Sequence, residues 1–169
     1  MKQKIFAFLF CGLVFISSQI AAQPKGGAPD GHLVLILQDG TERVLNRAKL
    51  ESLAQLELST ATPWNSNKRL FRGVTLFELI KKYSDTDPQI VRLTALNDYV
   101  IDLPIKEWTD YHVLLATRAD GEAISIRDKG PITVVFGRKN LFFRFLLPNI
   151  NDEKIPYLVW FLNKVEFVR

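Results

Sequence analysis

The chain has a single cysteine, Cys11, among its 169 residues, and the sequence around it marks that cysteine for removal. Lys2 and Lys4 open the chain, an apolar run follows from Ile5 to Ile20, and Ala21 and Ala22 end it with small side chains. That is the layout of a secretory signal peptide over residues 1–22. Cleavage after Ala22 removes 22 of the 169 residues and leaves 147, none of them cysteine. A chain without thiols forms no disulfide, offers a metal no thiolate and has no cysteine nucleophile. The alternative is a retained signal anchor, against which the short apolar run argues. Phe10 stands before Cys11 where lipoprotein processing calls for a small residue.

Other absences narrow the function further. There are two histidines, His32 and His112, far apart and without a ligand spacing, so a structural role is the default for both. No zinc spacing or EF-hand loop is present, and no nucleophile elbow or Gly-rich phosphate loop. No second apolar run approaches the length of about 20 residues that spans a bilayer. Like charges never run together for long. The formal net charge of +4 includes Lys2 and Lys4, so the mature chain carries +2. That is too mild a charge for a nucleic-acid partner.

What remains suits one domain with a substantial core. Residues 23–31 form a Pro/Gly-rich lead-in, and residues 32–169 read as a single domain. His32 to Gln38 is a β-like run, Asp39-Gly40 a hairpin turn, and Thr41 to Leu45 the return strand. Asn46 is placed to cap a helix running through Ala54. Leu56 to Thr62 reads as extended, and Pro63 to Lys68 as a polar loop around Trp64. Thr75 and Glu78 form a capping box for a helix to about Tyr83, with Leu76, Leu79 and Ile80 inward. Strands are expected at Ile90 to Ala95, Tyr99 to Leu103, His112 to Ala119, Ala123 to Ile126, Ile132 to Phe136 and within Tyr157 to Arg169. The expected class is α+β, with a mixed, partly barrel-like β-sheet and short helices.

Three segments in this order are distinctive: Phe71 to Ile80 (FRGVTLFELI), Ala95 to Pro104 (ALNDY and a proline-ended strand), and Leu114 to Pro131 (LLATRADGEAISIRDKGP). Together they resemble the molybdopterin-binding domain of the sulfite-oxidase-type oxidoreductases, over roughly residues 32–169. Family enzymes hold molybdenum through a cysteine in the loop before the helix. Here that stretch reads Ser59 to Asn65, and Ser59, Thr60 or Thr62 would have to substitute. A neutral hydroxyl is a poor replacement for a soft thiolate. A cysteine-free, exported, PruR-type branch is more similar in its T-P-W and A-L-N-D-Y segments. That resemblance implies a periplasmic adaptor that binds a pterin, tetrahydropterin or folate-like, without molybdenum. It also implies a partner: the periplasmic domain of a membrane diguanylate cyclase/phosphodiesterase that controls cyclic di-GMP. The alternative it leaves is a molybdenum-cofactor oxidoreductase or its accessory subunit, and a third reading is an interaction module without a pocket.

A pterin is a flat bicycle with a hydrogen-bonding edge, so its site needs an aromatic face, an acceptor and a donor. Trp64, in a polar loop, is suited to stacking or to plugging that loop. Trp160 lies in an apolar run that fits core packing as well as stacking, and Trp108 reads as core or rim. Asp98 and Asn97 offer an acceptor and a donor, and equally suit a turn between strands. Tyr99 begins a strand and fits the core or the site. Arg127, ahead of Gly130-Pro131, is a donor for a carbonyl or an anionic tail. Arg138, Lys139 and Arg144 make a second basic group, either a solvated face or a rim for the ligand's tail or the partner. The candidate set is Thr62, Trp64, Asn97, Asp98, Tyr99, Arg127, Arg144 and Trp160.

Overall fold

The computed structural model describes residues 31–62, 65–138 and 159–169. The fold is α+β, and among the described residues ten strands and a few short helices build two five-stranded sheets. The first hairpin forms as its sequence predicts. Strands β1 (Leu33–Ile36) and β2 (Glu42–Leu45) pair antiparallel, and Gly40 takes the positive φ of 83° that the turn requires. Asn46 caps α1 (Arg47–Glu51) by accepting from the Lys49 amide. The helix stops at Glu51 rather than Ala54, and Ser52, at its C-cap, donates its amide to Ala48 and Leu50.

Strands β3 (Gln55–Thr62) and β4 (Asn65–Thr75) form a long hairpin in which Thr62 pairs with Asn65. The polar stretch Asn65 to Lys68 is therefore strand, not loop. Asn65 pairs with Thr62, and the register then shifts before Arg69 pairs with Thr60. Thr75 accepts from the Glu78 amide at 3.2 Å and starts α2 (Leu76–Tyr83), which buries Leu76, Leu79 and Ile80. Strands β5 (Ile90–Ala95) and β6 (Val100–Pro104) follow, then a 3-10 turn over Ile105–Trp108. Next come β7 (Tyr111–Ala119), the two-residue β8 (Glu122–Ala123), a 3-10 turn over Ile126–Asp128, β9 (Thr133–Arg138) and β10 (Leu162–Val168). The segment expected as strand from Ala123 to Ile126 thus gives way to a turn. Ser125 accepts from the Asp128 amide and caps that turn instead of pairing.

The first sheet runs β2-β1-β10-β5-β6, with β1 and β10 parallel and the other pairs antiparallel. It buries one face: Leu33, Leu35, Val91, Leu93, Ile101, Leu103, Val165 and Phe167 point to the core and alternate with exposed or half-buried neighbours. The second sheet runs β3-β4-β7-β8, with β9 also on β7. It curls until its edges meet, so that a Cβ on Gly137 of β9 would lie 2.5 Å from a methyl of Leu58 on β3. Neither sheet closes into a barrel. The curl gives β7 two interiors. Val113 and Leu115 join the main core, whereas Leu114, Ala116 and Ala119 join a smaller one with Phe71, Ile124 and Val135. Trp108 belongs to the main core, only 2% exposed, against the rings of Tyr111 and Phe136. No helix among the described residues is long and apolar enough to cross a membrane.

Candidate functional site

Three stretches that are distant in sequence meet at one corner of the first sheet: the β5–β6 turn, the turn before β9, and the chain entering β10. The Leu96 amide donates to the Phe161 carbonyl at 2.9 Å, and the Phe161 amide donates to the Lys129 carbonyl at 3.2 Å. That Lys129 carbonyl also accepts from the Thr133 hydroxyl at 2.6 Å. The Leu162 amide reaches the Ile132 carbonyl at 3.0 Å, and the Val134 amide the Val159 carbonyl at 2.7 Å. Backbone bonds therefore lock the corner together before any side chain takes part.

The corner is also where the backbone is strained. Among the described residues, four non-glycine residues have positive φ: Asp98 (62°), Asp120 (54°), Lys129 (73°) and Phe161 (57°). All but Asp120 are in the corner. A bulky residue such as Phe161 is an outlier in this region, and strain held by surrounding structure gathers at functional sites. Gly130 enforces the geometry from below, since a Cβ there would lie 2.2 Å from the Ile124 carbonyl oxygen.

The side chains at this corner include four of the eight residues that the sequence nominates, with a fifth on the adjoining turn. Asn97 and Asp98 occupy the exposed β5–β6 turn, closed by the Asp98 amide on the Ala95 carbonyl at 3.1 Å. Their side chains form no hydrogen bond with the described residues. Tyr99 is 44% exposed rather than core. It shares the parity of buried Ile101 and Leu103, but lies past the last rung, Thr94 with Val100, where the sheet has nothing left to cover it. Trp160 is half-buried and precedes β10 instead of lying in a strand. Arg127 is exposed on the turn that leads to Lys129. Leu96 and Ile126, 59% and 49% exposed, add apolar surface beside these polar groups.

Lys129 is the residue that sequence reasoning missed. Its ammonium nitrogen lies over the Trp160 ring, 4.9 Å from the centroid. Only its place before Gly130-Pro131 could have drawn attention to it. The left-handed backbone that aims it is invisible in the residue type.

Thr62 is on the other sheet, at the end of β3, and is 8% exposed. Trp64, Lys139 and Arg144, with the side chain of Arg138, lie outside the described residues. Elsewhere ion pairs are formed among the described residues: Arg69 with Asp120, Arg92 with Asp102 and Arg118 with Glu51. Glu51 of α1 accepts from Arg118 at 2.9 and 3.1 Å and from Thr117 at 3.1 Å. Burial pushes the Glu51 carboxyl up, but the Arg118 and Thr117 hydrogen bonds outweigh it and hold the carboxyl below its ordinary value. Among the described residues no cluster of three or more His, Cys, Asp or Glu is arranged to hold a metal ion.

Comparison with protein-family models finds no match, and comparison with curated proteins finds none. Among solved structures, the fold is similar to the crystal structure of the sulfane dehydrogenase SoxCD from Paracoccus pantotrophus, with a TM-score of 0.57 and 12% sequence identity. The alignment covers 82% of this chain and 38% of that one, so this chain spans well under half of its neighbour's length. The likeness is one of fold alone.

Proposed function

We propose that this chain is an exported adaptor, not an enzyme, and that it binds a pterin without molybdenum at the corner of Asn97, Asp98, Lys129 and Trp160. The observation that carries this reading is the corner itself: an acceptor, a donor and an aromatic ring, held by strained backbone from three segments. The donor set suits a pterin. The Asp98 carboxylate can accept from the adjacent N–H groups of the pterin edge, the Asn97 amide can donate to its carbonyl, and Trp160 offers a flat face. Molybdenum is poorly served, because the residues in the cysteine's place are hydroxyls. In this reading the signal segment takes the protein to the periplasm. There the ligand sets its affinity for the periplasmic domain of a membrane diguanylate cyclase/phosphodiesterase.

Calorimetric titration of the mature protein with a tetrahydropterin tests the ligand. Binding near one per chain is expected, and Trp160→Ala should weaken it by about 1–3 kcal/mol, the value of one aromatic stack. No binding, or one molybdenum per chain in protein exported from a molybdenum-replete host, would overturn the reading. Linkage tests the partner. Pterin and receptor domain must change each other's affinity by the same factor, and equal receptor binding with and without pterin would reduce the protein to a carrier.

A further inference from the structure

Strand β2 ends the first sheet, and among the described residues no strand pairs beyond it. The Leu37 amide donates to the Thr41 carbonyl at 2.9 Å, and antiparallel pairs alternate between bonded and unbonded along the ladder. Arg43 and Leu45 therefore turn their backbone groups toward β1, whereas Glu42 and Val44 turn theirs to the open edge. Beside this edge runs a groove of about 960 Å³, walled by β2, α1 and the end of α2. Its charged lining is one-sided: Arg43, Lys49 and Lys82 against the carboxylate of Glu42. All three cations are exposed, and none forms an ion pair among the described residues. The Asp39 carboxylate, at the tip of the same hairpin, accepts from the Thr41 amide at 2.8 Å. Val44 adds an apolar side chain that is 64% exposed.

We propose that β2 receives an extended, acidic segment of another protein as an added strand of the first sheet. The inference is independent of the pterin reading above. Main-chain bonds to Glu42 and Val44 supply the affinity of such a contact, and the side chains along the groove supply its specificity. Short length and charge on an edge strand commonly keep other strands away. A basic edge does so selectively. A second copy of this chain would bring Arg43, Lys49 and Lys82 against their own like charges, whereas an acidic strand is attracted by all three. Side chains alternate between the faces of a strand, so the incoming segment meets Val44 on one face and Arg43 on the other. The pattern that fits alternates apolar residues, opposite Val44, with carboxylates, opposite Arg43.

The test uses the mature protein and three short probes: an alternating Val-Glu peptide, an alternating Val-Lys peptide, and the Val-Glu peptide with its backbone amides methylated. The Val-Glu peptide should bind about tenfold more tightly than the Val-Lys peptide, and the margin should shrink as salt is added. Strand addition, unlike a contact between charges alone, slows hydrogen exchange at the Glu42 and Val44 amides. That protection is expected with the Val-Glu peptide and not with its methylated form. Val44→Pro removes an N–H that β1 does not use, so circular dichroism should show the fold retained while peptide binding is lost. Arg43→Glu combined with Lys49→Glu should reverse the preference for charge. Should Val44→Pro fail to fold, the methylated probe on the wild type decides. No binding of the Val-Glu peptide, equal binding of the Val-Lys peptide, or a methylated peptide bound as tightly as its parent would overturn the proposal. Self-association of the protein that Val44→Pro abolishes would also overturn it, by assigning the edge to a second copy.

Discussion

The β7–β8 turn and the corner around Phe161 both hold non-glycine residues at positive φ, and they reach that state by different means. At the turn, Asp120 at 54° is followed by Gly121 at 86°, the Asp-Gly pairing that tight hairpins favour. Both oxygens of the Asp120 carboxylate are also engaged, accepting from the Leu70 amide at 2.9 Å and from Arg69 at 2.7 Å. The glycine that follows makes the turn, and the Asp120 side chain ties it to β4. At the corner, Asp98, Lys129 and Phe161 come from three stretches, and no glycine occupies the strained positions. Here too the bonds that hold them run between segments, and the side chains of Asn97 and Asp98 form no hydrogen bond with the described residues. Positive φ without a following glycine, beside side chains that bond no described residue, sets the corner apart from the turn.

Gly130→Ala against Gly121→Ala is the strongest way to break this contrast. The first places a Cβ 2.2 Å from the Ile124 carbonyl, the second places one in open space at an unfavourable φ. Gly130→Ala should cost about 1–3 kcal/mol, as overpacking does, and should abolish pterin binding with it. Gly121→Ala should cost roughly 1 kcal/mol through its backbone and leave binding unchanged. Urea denaturation and calorimetry measure both, and equal effects on binding would remove the distinction.

Asp98→Gly should sharpen it. Glycine tolerates the positive φ of this position, so relief there offsets the added freedom of the unfolded chain and stability should hold. Loss of a charged acceptor should weaken pterin binding by about tenfold, or some 1.5 kcal/mol. Asp120→Ala is the converse: it should lower the denaturation midpoint and leave affinity alone. A binding loss in Asp120→Ala as large as that in Asp98→Gly would show that the turn belongs to the site.

The smallest expected effect is the pH dependence of the structural carboxylates. The Arg69 hydrogen bond, with the Leu70 amide, holds Asp120 below its ordinary value, and Glu51 is held low by Arg118 and Thr117 against its burial. A depressed folded pKa gives stability that is present above the unfolded pKa and is lost as pH falls through the folded one. Both groups should therefore stabilise the fold at neutral pH and stop doing so below the ordinary carboxylate range. Glu51→Gln should remove about 0.5–1 kcal/mol at pH 7, given its partial exposure, and flatten the acid limb of the stability curve. An unchanged acid limb would show that the Glu51–Arg118 contact contributes nothing to stability.

Much of the first sheet was legible in the sequence, because a strand with one buried face shows its period. Leu33 and Leu35, Val91 and Leu93, Ile101 and Leu103 alternate as the pleat demands, and Thr75 with Glu78 marks the start of α2. The second sheet was read less well. Its β7 buries both faces, so Val113 to Ala116 is a continuous apolar run that reports burial but not which core each residue enters. The Asn65 to Lys68 strand was missed because its polar residues carry no alternating apolar signature. The corner was half legible: Asn97, Asp98, Arg127 and Trp160 were nominated by residue type and by resemblance, whereas Lys129 and the strain at Phe161 were not.

Residue chemistry alone set several things: a cysteine-poor, mildly charged, strand-rich chain, the Asp39-Gly40 and Asp120-Gly121 turns, the caps at Asn46 and Thr75, and the polar groups available to a ligand. These follow from neighbours within a few residues, where propensity and hydrogen-bonding type suffice. Packing settled the rest: the curl that brings Leu58 against Gly137, the exposure of Tyr99, and the meeting of residues 96, 129 and 161. Those outcomes depend on backbone groups far apart in the chain finding one another, and no local pattern of residues encodes which carbonyl a distant amide will reach.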